Sequence, residues 1–207
     1  MSDVGRSMEA TTPRAAARAA SQRRAFPNGW WGAALLVATE ATLFGTLIAS
    51  YFYLWGHTTQ WPPAGVERPS VALPLVLSGV LVATSVPMLL AASGARAGRL
   101  RLTAGFVALA LVIQAGYLAV QIIELKGDLD SFTPRDGAAY ASAYYTLLVV
   151  HHAHVLLGIL MSGWLLTRLA GGLTNYRVVA TSVIALYWYF VSAVGVAVTL
   201  TLVAPSL

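Results

Sequence analysis

The chain of 207 residues contains no cysteine. That absence excludes disulfide frameworks, thiol nucleophiles, iron–sulfur clusters and cysteine-ligated zinc together. Charge is the second scarcity: Asp, Glu, Lys and Arg make up 10% of the residues, where a soluble domain carries roughly 25%. With 57% of the residues hydrophobic, a soluble monomer is excluded. A bilayer crossing takes about 20 mostly apolar residues, so the length holds a handful of spans with short loops and no separate soluble domain. HExxH is also missing, which removes the zinc-protease motif.

What is there is a series of apolar stretches, at about 30–55, 71–93, 102–125, 139–167 and 177–203. Each is long enough to cross the hydrocarbon core, and only a helix satisfies its own backbone there. The expected fold is therefore all-α, an integral membrane bundle of five transmembrane helices over residues 30–207, preceded by a disordered basic tail over 1–29. Pro74, Pro87, Gly45 and Gly158 fall inside these stretches, which spanning helices tolerate.

The placement of the basic residues sets an expected orientation. Arg6, Arg14, Arg18, Arg23 and Arg24 precede the first stretch, Arg96, Arg99 and Arg101 follow the second, and Arg168 and Arg177 separate the last two. The alternate side holds only Arg68, Lys126 and Arg135, together with Glu67, Asp128, Asp130 and Asp136. The positive-inside rule then puts the N-terminus in the cytoplasm and the C-terminus outside. Because the same arginines serve as the cytoplasmic anchor, no nucleic-acid partner is read from the net charge of +5. Trp30 and Trp31 at one end of the first span, and Tyr51, Tyr53 and Trp55 at the other, read as interfacial aromatic belts. Gly32, Ala33, Ala38, Ala41, Gly45 and Ala49 in the first span, and Gly158, Ser162 and Gly163 in the fourth, are residues that let helices approach closely.

Ionisable groups inside a span are costly and mark function or pairing. Glu40 lies about ten residues into the first span, roughly 15 Å deep at 1.5 Å per residue. His151, His152 and His154 lie in the fourth span at a similar depth. His151 and His154 share a helix face, while His152 points about 100° away from His151. A buried polar junction of Glu40, His151 and His154 is expected. Its open uses are a structural clasp between the first and fourth spans, a part in a proton path, or a metal site. The metal use is weak, because three such closely spaced histidines cannot all face one ion and Glu40 is the one buried carboxylate available. Bis-histidine haem lacks a second ligand on a facing helix, since His57 lies in a loop. Gln121 and Glu124, near the outer end of the third span, form a secondary polar pair. No catalytic residue and no resident cofactor or metal is read from this set, so a subunit or a carrier is expected rather than a stand-alone enzyme.

The order of these motifs resembles a known family. "WGAALLVATEATLFGTLIASYFYLW", followed by "WPP" and "PSVALPLVLSGVLVATS", is similar to the third and fourth helices of cytochrome c oxidase subunit III, with Glu40 on the family's buried glutamate. "QIIEL" and "AYASAYYTLLVVHHAHVLLG" resemble its Gln-x-x-Glu and His-x-x-His-Val helix. That places Gln121 and Glu124 on the polar pair, His151 and His154 on the two histidines, and Arg168 on a following basic residue. "YWYFVSAVGV" resembles its Tyr-Trp-His-Phe-Val-Asp run. The likeness covers residues of about 30–203 and corresponds to the short bacterial form with five helices.

The departures are Tyr189 for the usual His, Ser192 for Asp, Ser182 for Glu, and His152 for Gly. They remove the charged ties expected to join the fifth span to its neighbours.

The resemblance implies an accessory, cofactor-free subunit of a terminal cytochrome c oxidase in the bacterial cytoplasmic (inner) membrane, with haem and copper in partner subunits I and II. It implies roles in stabilising subunit I, binding phospholipid and supporting proton uptake, with Arg168 as a candidate lipid headgroup contact. Its implied partners are subunits I and II, membrane lipids and a larger respiratory supercomplex. Two further readings are a subunit III-like component of nitric oxide reductase and a small transporter using Glu40 and His151/His154.

Overall fold

Every described element is helical. The computed structural model describes residues 28–66, 70–133, 135 and 139–206. The expected basic tail therefore lies outside the described residues as far as residue 27. The helices are α1 (Asn28–Gly56), α2 (Ala72–Ala83), α3 (Ser85–Arg96), α4 (Leu100–Ser131), α5 (Ala139–Leu169) and α6 (Asn175–Val203), closed by a short 3-10 turn at Ala204–Ser206. Taken together, α2 and α3 make one span, so five helical segments are long and apolar enough to cross a membrane.

The second span, expected as one helix, is interrupted at Thr84. Pro87 has no N–H to return to the carbonyl four residues back, so the ladder loses a bond at this level. The hydroxyl of Thr84 takes up local slack by donating to the Leu81 carbonyl at 2.6 Å. The loop expected after the third span is largely helix instead. α4 runs on to Ser131 and carries Lys126, Asp128 and Asp130 with it. Tyrosines of α5 hold this extension: Tyr144 donates to Asp128 Oδ2 at 2.8 Å, and Tyr145 donates to the Phe132 carbonyl at 2.7 Å. Between α5 and α6 the chain reverses through Gly172, whose φ of 89° lies in the left-handed region that favours glycine. Thr174 then caps α6, its side chain accepting from the Arg177 N–H at 3.3 Å.

α6 is the hub of the bundle, packing against α1, α2, α3 and α5. α4 leans on α3 and α5 and touches α2, while its backbone stands off from that of α6. One core cluster, around Leu81, Met88, Val107, Leu165, Tyr187 and Trp188, binds α2 to α6 together. A second, richer in aromatics, gathers Phe44, Tyr51, Trp61, Tyr140, Tyr144 and Tyr145. Tyr51, expected in an interfacial belt, belongs to this second cluster and is fully buried, its ring edge-on to Trp61 at 5.3 Å. Tyr53 and Trp31 do face outward.

Close approach of helices occurs at particular small residues. A Cβ on Gly158 would stand 2.7 Å from the Trp188 ring, and one on Gly195 would stand 3.0 Å from His151 Cε1. Nothing lies within 4 Å of such an atom on Gly32, Gly45 or Gly163. The small residues Gly32, Ala38, Gly45 and Ala49 of α1 are exposed, so they do not mediate packing within the bundle. The losses at Ser182, Tyr189 and Ser192 leave α6 tied by neutral bonds. Tyr187 donates to the His154 carbonyl at 3.0 Å, Trp188 Nε1 donates to Ser162 Oγ at 2.9 Å, and Ser192 donates to the Leu81 carbonyl at 3.2 Å. Ser78 and Thr199 share a hydrogen bond of 2.7 Å. Ser182 bonds only within its own helix, to the Val178 carbonyl.

Candidate functional site

α1 contributes a single acidic side chain, and α5 meets it with a histidine. Glu40 Oε2 lies 3.0 Å from His154 Nε2. The other ring nitrogen, Nδ1, lies 2.7 Å from the Val150 carbonyl one turn earlier. A carbonyl oxygen only accepts, so Nδ1 is the donor of that bond, and a neutral ring must then present a bare lone pair at Nε2. The bond to Glu40 therefore contains one proton, residing either on the carboxyl group or on the imidazole. In both arrangements the pair has no net charge, which is the form in which two ionisable groups sit inside a membrane at least cost. The side chains retain 24% and 16% of their accessible surface, Glu40 and His154 respectively. The pair thus sits in the seam between α1 and α5, open to whatever lies beside the bundle. Phe44 closes its inner side, the ring 5.0 Å from that of His154.

His151 was expected at the same junction, and the structure does not bring it to Glu40. It is buried to 3% exposure among Phe44, Gly195 and His152, and neither ring nitrogen has a hydrogen-bond partner. His152 is likewise buried with no partner for either nitrogen.

The secondary polar pair lies elsewhere. Gln121 donates to the Tyr117 hydroxyl at 2.8 Å on its own helix. Both Gln121 and Glu124 line a partly open cavity with about 60 Å³ of free volume, whose walls also include Asp128, Tyr144 and His151. Neither this cavity nor the part of Asp128 and Tyr144 in it was expected from the sequence. The spacing Gln121, Glu124, Asp128 on α4 and Tyr144, Leu148, His151 on α5 is the one signal that could have found it, since each set marks one helical face.

Arg168 is exposed at the end of α5, with its guanidinium 6.0 Å from the centroid of the Trp164 ring. Beneath it, Trp164, Met161, Tyr176 and Val179 line an open apolar hollow of about 370 Å³. No group of three or more His, Asp or Glu side chains that could hold a metal ion occurs among the described residues.

The family described as "Cytochrome c oxidase subunit III" matches residues 19–203. Cytochrome c oxidase subunit 3 of Bacillus subtilis (strain 168) is 30% identical over 173 residues, covering 81% of this chain and 80% of the relative. Quinol oxidase subunit 3 of the same organism is 27% identical over 172 residues, covering 81% of each. A haem-copper oxidase subunit I+III of Aeropyrum pernix matches over 168 residues at 27% identity, covering 77% of this chain and 20% of that longer protein.

Proposed function

Given that this chain belongs to the cytochrome c oxidase subunit III family, a family of multi-pass membrane subunits of haem-copper oxidases, we propose that it serves as an accessory subunit of a terminal oxidase that passes electrons from cytochrome c to oxygen. In this reading it sits in the bacterial cytoplasmic membrane with its N-terminus inside, packs on subunit I, and leaves haem and copper chemistry to subunits I and II. The fusion of subunits I and III in the Aeropyrum pernix relative supports the placement beside subunit I.

The observation that carries the functional part is the Glu40–His154 bond, a neutral one-proton pair at the seam of α1 and α5. Such a pair moves a proton between two atoms 3.0 Å apart without creating net charge in the membrane. It would steady the junction of α1 with the bundle and support proton uptake by the neighbouring catalytic subunit. Arg168 over Trp164, above an apolar hollow, fits a phospholipid with its phosphate at the guanidinium and an acyl chain below.

Purifying the complex through this chain tests the reading. Haem absorption and large partner chains are expected, and a haem-free chain on its own would refute it. With Glu40→Ala, assembly and the number of turnovers before inactivation are both expected to fall; no change in either would remove the role of the pair. A quinol donor is a second reading, favoured by the match to quinol oxidase subunit 3. The purified complex separates the two by oxidising either reduced cytochrome c or quinol.

A further inference from the structure

Near the C-terminal end of α4, where α4 and α6 stand apart, a partly open cavity is walled by α2 on one side and α5 on the other. Its lining changes character along its length. Pro74, Leu77, Val198 and Leu202 supply apolar walls, while a polar stripe descends from Asp128 and Tyr144 past Glu124 to Gln121 and His151. α4 and α5 run antiparallel here, so the faces Gln121–Glu124–Asp128 and His151–Leu148–Tyr144 lie side by side in matching order. The hydrogen bond from Tyr144 to Asp128, 2.8 Å long, ties the two faces together at one end. At the other end stands His151, 3% exposed, with two unpartnered nitrogens.

We propose that this cavity is a hydration site: a file of water molecules that connects the carboxylates of Glu124 and Asp128 to His151 and gives protons access to the imidazole. Size and chemistry select the occupant. The free volume of about 60 Å³ holds several waters at roughly 10–15 Å³ each, while drug-sized or larger molecules occupy pockets of about 300 Å³ and upward. A water needs two to four polar partners, and the wall offers two carboxyl groups, an amide, the hydroxyls of Ser70, Tyr144 and Thr199, and an imidazole. A neutral imidazole needs both a donor and an acceptor to be satisfied, and water supplies both. His151 stands against Gly195 of α6, the Phe44 ring of α1 and the His152 ring, with His154 one turn on along its own helix, and the cavity it lines is shared with Gln121, Glu124 and Asp128 from α4, Tyr144 from α5 and neutral side chains from α2 and α6. No arginine or lysine lines the cavity, so the two carboxylates favour a protonated water file over an anion.

The absence of cysteine in the chain makes the test direct. His151→Cys, Leu148→Cys and His152→Cys are introduced singly, and each oxidase complex is treated in membranes with Ag⁺, a small water-borne cation that reacts with thiols. The chain is then denatured and alkylated, and the blocked fraction is read by its mass. The cysteines at 151 and 148 are expected to be blocked at least about tenfold faster than the one at 152, which is buried but lies off the cavity. Adding Glu124→Leu to the His151→Cys variant is expected to slow blocking by about tenfold, through loss of the charge that attracts the cation. Equal rates at the three positions, or no effect of Glu124→Leu, would overturn the proposal. If His151→Cys does not assemble, Leu148→Cys carries the same comparison. A map of the unmodified complex at water-resolving resolution is a second arm. Ordered density within hydrogen-bonding distance of His151 and continuing to Glu124 supports the file, whereas an empty cavity, a lipid chain or a coordinated ion refutes it. None of these results depends on whether the complex contains haem, so this proposal and the oxidase reading fail separately.

Discussion

Replacing Glu40 by glutamine and by leucine should have unequal consequences for α1, and the geometry of His154 says why. Its Nδ1 is committed to the Val150 carbonyl at 2.7 Å, so in a neutral ring Nε2 can only accept. The amide introduced by Glu40→Gln can donate to that lone pair across the same 3.0 Å, so this change keeps the bond while removing the shared proton. Glu40→Leu leaves Nε2 facing an apolar side chain. A hydrogen bond between membrane helices contributes about 0.6 kcal/mol on average and about 1.7 at most, and an orphaned polar group adds about 1–3 kcal/mol. Glu40→Leu is therefore expected to cost about 1–3 kcal/mol and Glu40→Gln about 0.5 kcal/mol or less. His154→Leu strands the carboxyl group instead, so the double variant Glu40→Leu/His154→Leu should be more stable than the sum of the two single losses implies, with a coupling of about 1 kcal/mol. Reversible SDS unfolding of the purified chain in mixed micelles, followed by tryptophan fluorescence, measures all four. Equal costs for the glutamine and leucine variants, or zero coupling, would refute the assignment of the proton to this bond.

Two further predictions concern the packing of α5 on α6. Gly158→Ala places a Cβ 2.7 Å from the Trp188 ring and should cost about 1–3 kcal/mol by overpacking. Gly163→Ala on the same helix meets nothing within 4 Å and should be neutral, or stabilising by up to about 1 kcal/mol; the unfolding midpoints of the two variants test the contrast. Ser162→Ala removes the acceptor of Trp188 Nε1, 2.9 Å away and fully buried, and should cost about 1–2 kcal/mol. Its midpoint is expected to fall while the emission of the folded state shifts to shorter wavelength.

Much of the architecture was legible because lipid imposes a simple code. Apolar length alone located the five spans, but not the break at Thr84 in the second, because Pro87 inside a spanning stretch reads as tolerated. Glu40 stood out because so few charges enter the spans. Its partner was harder to assign. Residues three apart on a helix differ in direction by about 60°, enough to turn His154 outward to Glu40 while His151 turns inward among Phe44 and Gly195. In a soluble helix the polar face would have settled this, but inside a membrane the inward and outward faces are both apolar. The same difficulty hid the side taken by Tyr51, and it made the small residues of α1 read as packing positions. The α4–α6 gap depends on which helices fail to touch, which no periodicity within one helix records. The extension of α4 to Ser131 rests on Tyr144 and Tyr145, contributed by a different helix.

The shared proton also bears on how the protein is made. Glu40 and His154 are separated by 114 positions in the chain, and the helices that hold α1, namely α5 and α6, are synthesised well after it. A ribosome delivers α1 to the membrane before α5 and α6, with its acid unpaired. Central acidic side chains oppose insertion by about 2.5–3.5 kcal/mol on the translocon scale, which the apolar remainder of α1 must outweigh alone. Docking of α1 therefore waits on the arrival of α5. Truncated chains ending before His154 should leave α1 inserted but loose, open to quality-control proteases until its partner emerges.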